Sequence, residues 1–149
     1  LTDGIDTDAE WSPDGNSIVF SRKNDGGSAI YVVSKEGDSW TGETDLSSLT
    51  GIDSINVSPT WAPDSKWLAF VSHRDGNGEI YTMKPDGNDV TRLTKNEIAD
   101  AAPVWSPDGK NIAFVSYLYG LGEIIILDVS DKKQRRLTRN EAADYSQNW

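Results

Sequence analysis

Four positions in this 149-residue chain put an acidic or amide side chain at one fixed distance from a tryptophan. Asp6, Asn56, Asp100 and Asp144 each lie five residues before Trp11, Trp61, Trp105 and Trp149. Carboxylates brought together from separate stretches of chain make a negative field that favours cations and basic groups. Their hard oxygens suit Ca²⁺ better than Zn²⁺, so a weak Ca²⁺ site is one expectation. The plainer expectation is that each side chain hydrogen-bonds backbone in its own loop, as short polar side chains do at turns. Asn56 fits both, since an amide also bonds backbone. His73 and Arg74 form a second candidate, as a solvated loop pair or as a ligand contact.

The inventory for other chemistry is thin. The chain has no cysteine, which excludes disulfides, thiolate metal sites and a cysteine nucleophile. With His73 as its single histidine, one chain cannot build a histidine metal cluster. No Gly-x-Ser-x-Gly elbow and no Gly-x-x-x-x-Gly-Lys phosphate loop occurs. The residues therefore predict a binding protein with no catalytic residues. Fourteen basic against twenty-four acidic side chains give a net charge of −10. That charge repels nucleic acid and anionic membrane surfaces. No apolar run approaches the roughly 20 residues that cross a bilayer. Leu1-Thr2-Asp3-Gly4 has neither the basic start nor the apolar stretch of a signal peptide, and reads as the start of a mature or trimmed chain, or of a fragment.

The elements that must position these residues repeat. A Leu-Thr pair recurs at Leu1-Thr2, Leu49-Thr50, Leu93-Thr94 and Leu137-Thr138. A turn follows three tryptophans, as Ser12-Pro13-Asp14-Gly15, Ala62-Pro63-Asp64-Ser65 and Ser106-Pro107-Asp108-Gly109. Proline fixes the first corner of such a turn, and glycine takes its positive φ. Ser65 stands where the other repeats have glycine, which predicts slight strain. Apolar and β-branched runs follow each turn, at Ile18 to Ser21, Leu68 to Ser72 and Ile112 to Ser116. Second runs lie at Ile30 to Val33, Ile80 to Met83 and Ile124 to Leu127. No segment keeps a helical period. Four short strands per repeat of about 40–45 residues predict an all-β fold of propeller blades. The expected blades are about 6–50, 51–94 and 95–138, with one extra inner strand at 145–149. Each tryptophan should close an inner strand and pack between blades.

The pattern Leu-Thr, Asp, Trp-Ser-Pro-Asp-Gly-Lys, Ile-Ala-Phe-Val-Ser, closest at Leu93 to Ser116, resembles the TolB-type propeller repeat. The likeness covers nearly the whole chain. It is similar also to the non-catalytic propellers of prolyl-oligopeptidase-like and tricorn-like peptidases. WD-repeat (WD40-like) proteins fit less well, because the Gly-His and Trp-Asp markers are missing. The resemblance implies a periplasmic, protein- or ligand-binding scaffold, with partners such as a peptidoglycan-associated lipoprotein. It leaves two alternatives: an accessory propeller that gates a peptidase, and a propeller lyase or hydrolase using channel carboxylates. In a propeller, Asp6, Asn56, Asp100 and Asp144 begin the innermost strands, near the mouth of the central channel.

Two departures from the repeat stand out. Arg22 to Gly27 and His73 to Gly78 are polar turns, but the third repeat has Tyr117-Leu118-Tyr119-Gly120-Leu121-Gly122. Tyr117, Leu118, Tyr119 and Leu121 are either a contact for a partner or local packing onto a neighbouring loop. The first repeat carries an insertion, Gly37 to Thr44, whose Trp40 is expected to cap an outer strand. Propellers close with four to eight blades, so three blades leave two apolar faces open. Either the chain is part of a longer, partial propeller, as an ending at Trp149 in mid-motif suggests. Or two chains pair head to tail as a homodimer of six blades.

Overall fold

The computed structural model describes residues 4–45 and 54–139. Asp144, the expected strand at 145–149 and the first two Leu-Thr pairs lie outside them. Among the described residues, twelve strands form three separate four-stranded antiparallel sheets, each ordered as the chain runs. Blade 1 holds β1 (Ile5–Trp11), β2 (Ser17–Asn24), β3 (Gly27–Glu36) and β4 (Ser39–Asp45). Blade 2 holds β5 (Asn56–Trp61), β6 (Leu68–Ser72), β7 (Glu79–Met83) and β8 (Thr91–Arg92). Blade 3 holds β9 (Asp100–Trp105), β10 (Asn111–Ser116), β11 (Glu123–Asp128) and β12 (Gln134–Arg136). The three inner strands each end on the repeated tryptophan. The insertion of the first repeat is not a loop. It continues a hairpin in which Trp40 pairs with Lys35, and so becomes strand β4.

The turn after each tryptophan closes as its residues dictate. The amide N–H of Gly15, Ser65 and Gly109 donates to the carbonyl three residues back, at 2.9 Å in each blade. Their φ values are 73°, 58° and 69°. Ser65 thus occupies the left-handed region, which disfavours a side chain. Its hydroxyl accepts the Asp14 amide N–H at 3.1 Å and ties the turns of blades 1 and 2 together. In blades 1 and 3 a serine precedes the proline. Ser12 donates to Asp14 and Ser106 to Asp108, both at 2.6 Å. These hydroxyls, with the amide N–H groups of Asn16 and Lys110, hold both carboxyls below the usual aspartate range.

Two cores lie in the seams between blades. Val19, Ile30 and Val32 of blade 1 pack on Trp61, Leu68, Phe70, Tyr81 and Met83 of blade 2. Ala69, Val71, Ile80 and Leu93 of blade 2 pack on Ile112, Phe114, Ile125 and Leu127 of blade 3. Strand alternation makes both faces of the middle blade apolar: the burial pattern of β6 and of β7 is continuous. The tryptophans divide accordingly. Trp61 is buried and Trp105 is half-buried, each in a seam. Trp11, expected in a core, is 56% exposed, because no described blade covers the back of blade 1. It meets Trp40 edge-on, ring centroids 5.4 Å apart; Trp40 lies within the outer strand β4 and does not cap it.

Candidate functional site

The starts of the inner strands and the loops β2–β3, β6–β7 and β10–β11 share one end of the blades. The registers Asp6 with Arg22, Asn56 with Ser72 and Asp100 with Ser116 place them there. Each inner strand bulges on its way from this end. Asp8, Ser58 and Ala102 have φ of 55°, 53° and 51°, each three residues before its tryptophan. A bulge bends a strand and re-aims its side chains. The turned side chains differ by blade. The carboxylate of Asp8 accepts the Ser21 hydroxyl and the Ser58 amide N–H, both at 3.3 Å, so it links blade 1 to blade 2. Ala102 offers no such group.

The repeated polar residues before tryptophan do not act alike. Asp6 is exposed and takes a bidentate pair from Arg22, Nε at 2.7 Å and Nη2 at 2.9 Å. The Arg22 hydrogen bond lowers its pKa. Asn56 is 0% exposed and donates to the Ser28 carbonyl of the neighbouring blade at 3.2 Å. Asp100 is 1% exposed and accepts the Asn96 amide at 2.8 Å through Oδ2. Its Oδ1 has no partner among the described residues. Burial raises its pKa. Asn56 and Asp100 therefore sit inside the seams and not on an open channel wall. Among the described residues, no three His, Asp or Glu side chains gather as a metal site.

His73 and Arg74 open the β6–β7 loop, and both are half-buried. The His73 amide N–H donates to the Ile55 carbonyl at 2.9 Å. Its ring packs beside Gly78, where a Cβ would stand 3.2 Å from Nε2 and 2.9 Å from the Asp100 carbonyl. Arg74 folds back over the rings of Tyr81 and Phe70, 4.6 and 5.9 Å from their centroids. Burial lowers its pKa. In the β10–β11 loop, by contrast, Tyr117, Leu118, Tyr119 and Leu121 stand 48%, 48%, 50% and 47% exposed. The Tyr117 amide N–H donates to the Ala99 carbonyl at 3.2 Å, which seats this loop beside Asp100.

A buried ionic clamp lies beneath these loops, and no single residue type announces it in the sequence. Glu79 is fully buried and accepts Arg92 Nη2 at 3.0 Å, Thr94 Oγ1 at 2.5 Å and the Asn96 amide N–H at 2.9 Å. Glu123, equally buried, accepts Arg136 Nη2 at 2.8 Å and Thr138 Oγ1 at 2.7 Å. Removing one partner of such a pair strands a buried charge, at a cost of about 3–5 kcal/mol. The signal was a co-occurrence. Gly-Glu-Ile at 78–80 and 122–124 accompanies Arg-Leu-Thr at 92–94 and 136–138, while the first repeat has Ala29 and Ser48 in their places. At the opposite end, a cavity of about 600 Å³ opens between blades 2 and 3, lined by Pro63, Trp67, Trp105, Pro107 and Lys132 among others.

No protein-family model and no curated protein sequence matches the chain. Solved structures do. A TolB structure from Agrobacterium tumefaciens is 28% identical with a TM-score of 0.73, over 85% of this chain and 46% of that one. TolB from Acinetobacter baumannii is 26% identical with a TM-score of 0.73, over 91% of this chain and 33% of that one. A puromycin hydrolase structure, 18% identical, superposes with a TM-score of 0.76 over 91% of this chain and 22% of that one, which is a likeness of fold. The chain thus spans less than half the length of these TolB structures. Its three sheets are β-propeller blades, similar to those of the TolB structures.

Proposed function

We propose that the chain is a non-catalytic, protein-binding segment of a periplasmic TolB-like propeller, and that it binds through the β10–β11 loop. One observation carries the reading. Where blades 1 and 2 have polar turns, blade 3 holds out four large apolar side chains, each about half exposed. Contiguous exposed apolar side chains mark contact surfaces, and tyrosine is enriched in such interfaces. The burial of Asp100 in its seam supports this over hydrolase or lyase chemistry at the channel mouth. The likeness to puromycin hydrolase supports a second reading, an accessory propeller that gates a peptidase. A fold alone does not choose between them.

The reading extends to the open faces. Ala113, Val115, Ile124 and Leu137 of blade 3 repeat the four residues by which blade 2 grips blade 3. Trp11, Ile18, Phe20, Tyr31 and Val33 of blade 1 repeat the back of blade 2. The two faces are complementary by repetition, so the front of one arc fits the back of another. A second copy of the chain would complete six blades.

A loop graft tests the binding reading. Replacing Tyr117 to Gly122 with the His-Arg-Asp-Gly-Asn-Gly of blade 2 should leave the thermal midpoint within about 2 °C, because that sequence already serves a blade of this fold. The graft should lose at least tenfold in recovery of a partner that the parent chain retains from periplasmic extract. Equal recovery by both chains would refute the loop as the binding element.

A further inference from the structure

Blades 2 and 3 differ most sharply around their clamp arginines. In blade 2, Arg92 spends Nη2 on Glu79 and Nη1 on Asp75, at 3.0 and 2.9 Å. Asp75 also accepts the Tyr81 hydroxyl, and Arg74 lies over the Tyr81 ring. Burial and Asp75 together push the Tyr81 phenol up to about 12. Blade 3 keeps the arginine, as Arg136, and its inner partners. Nη2 goes to Glu123 at 2.8 Å and Nε to the Thr138 carbonyl at 2.9 Å. The groups on the outer side have all changed together. Arg74, Asp75 and Tyr81 correspond to Leu118, Tyr119 and Ile125.

Tyr119 does not replace the lost carboxylate. The central carbon of the guanidinium lies over its ring, 4.1 Å from the centroid, which is a cation–π contact and not a carboxylate pair. Among the described residues no carboxylate reaches the Nη1 corner of the fork, and the Arg136 side chain keeps 27% exposure. The fork is already fixed by Glu123 and Thr138. A further carboxylate would meet a preorganised donor, which is where arginine binds carboxylates best.

We infer that Arg136 is a receptor for an acidic side chain of a partner protein, an aspartate or glutamate flanked by apolar residues. Its carboxylate occupies the place that Asp75 holds in blade 2, and its neighbours lie on Leu118, Tyr119 and Leu121. This inference rests on the binding role proposed for the β10–β11 loop and names the chemistry recognised there. It also explains why the loop is apolar: a rim of apolar side chains keeps water from the ion pair and strengthens it.

The internal template supplies the test. Tyr119→Asp puts a carboxylate of the chain's own on Arg136, as Asp75 sits on Arg92, and should fold because blade 2 already has this arrangement. Two probes are titrated into the full chain, acetyl-Leu-Asp-Leu-amide and acetyl-Leu-Asn-Leu-amide. The readouts are the NMR shifts of the Arg136 Nε–H and of the Tyr119 ring. The aspartate peptide should give a saturable shift at Arg136, at least tenfold tighter than the asparagine peptide. Tyr119→Asp, with its amide spectrum still dispersed, should lose the aspartate preference. Equal affinity for both peptides, no saturable shift, or a preference that survives Tyr119→Asp would each overturn the inference. If the peptides fail while the loop graft still abolishes partner recovery, the loop remains the binding element and only its acidic specificity falls. If the graft has no effect, the binding role itself falls.

Discussion

Asp100 brings an ionisable group into the seam between blades 2 and 3, where Asn56 does the same work in the preceding seam without a charge. Burial raises the Asp100 pKa above its ordinary 3.8. Folding therefore favours the protonated form. This contribution to stability is full below pH 3.8 and is lost as pH rises through the raised value. Asp14 and Asp108 act with the opposite sign. Their lowered pKa values contribute stability above pH 3.8 that is lost as pH falls. Asp100→Asn isolates the first effect, because the turn aspartates are common to both proteins. The variant should be more stable than the parent at pH 7 by about 1 kcal/mol, the scale of one poorly satisfied buried polar group. The gap should close toward pH 4 in urea-unfolding midpoints. A gap that is constant with pH would show that Asp100 is not the titrating group. The spacing of Asp6, Asn56 and Asp100 before tryptophan was legible in the sequence; their separate fates were not. Arg22 decides that Asp6 stays exposed, and the depth of the seam decides that Asn56 and Asp100 do not.

The strands were legible because three copies of one pattern agree in phase. Proline, aspartate and glycine fix the turn after each tryptophan, and β-branched runs fix the two strands that follow. Element-level surprises come where local residue types carry no signal. The bulges at Asp8, Ser58 and Ala102 have no glycine to announce a positive φ, so only hydrogen bonding across the blade reveals them. The insertion at Gly37 to Thr44 has turn residues at its start and strand pairing along its length, and pairing with β3 wins. The ionic clamp escapes a reading that weighs glutamate as a surface residue. A glutamate is buried here only because an arginine and a threonine lie 13 and 15 residues further on, across one strand pair. Ala29 and Ser48 drop both partners from the first repeat at once, as the cost of an unpaired buried charge requires.

At the largest scale, the three blades of the described residues make an arc whose front and back are apolar. Ile124 is 40% exposed and Leu137 is 54% exposed on the front of blade 3, where Ile80 and Leu93 of blade 2 are buried. Closure through a second copy predicts, by sedimentation equilibrium, a mass of twice 16.4 kDa. The double variant Ile124→Lys with Leu137→Lys should return it to 16.4 kDa, because lysines cannot be buried in a seam without partners. A folded parent chain that remains a monomer at the same concentration would contradict closure by this route. Under the proposed function the arc also sets where binding takes place. Its two ends differ in kind, with prolines and acidic turns at one and the apolar β10–β11 loop at the other. The central claim is that the second end meets a protein partner. A photo-reactive benzoylphenylalanine at Leu118 tests it most directly, with Lys66 on the opposite end as the control position. The account predicts a discrete covalent adduct from Leu118 in the periplasm and none from Lys66. An adduct from Lys66 without one from Leu118, or none from either, would contradict it.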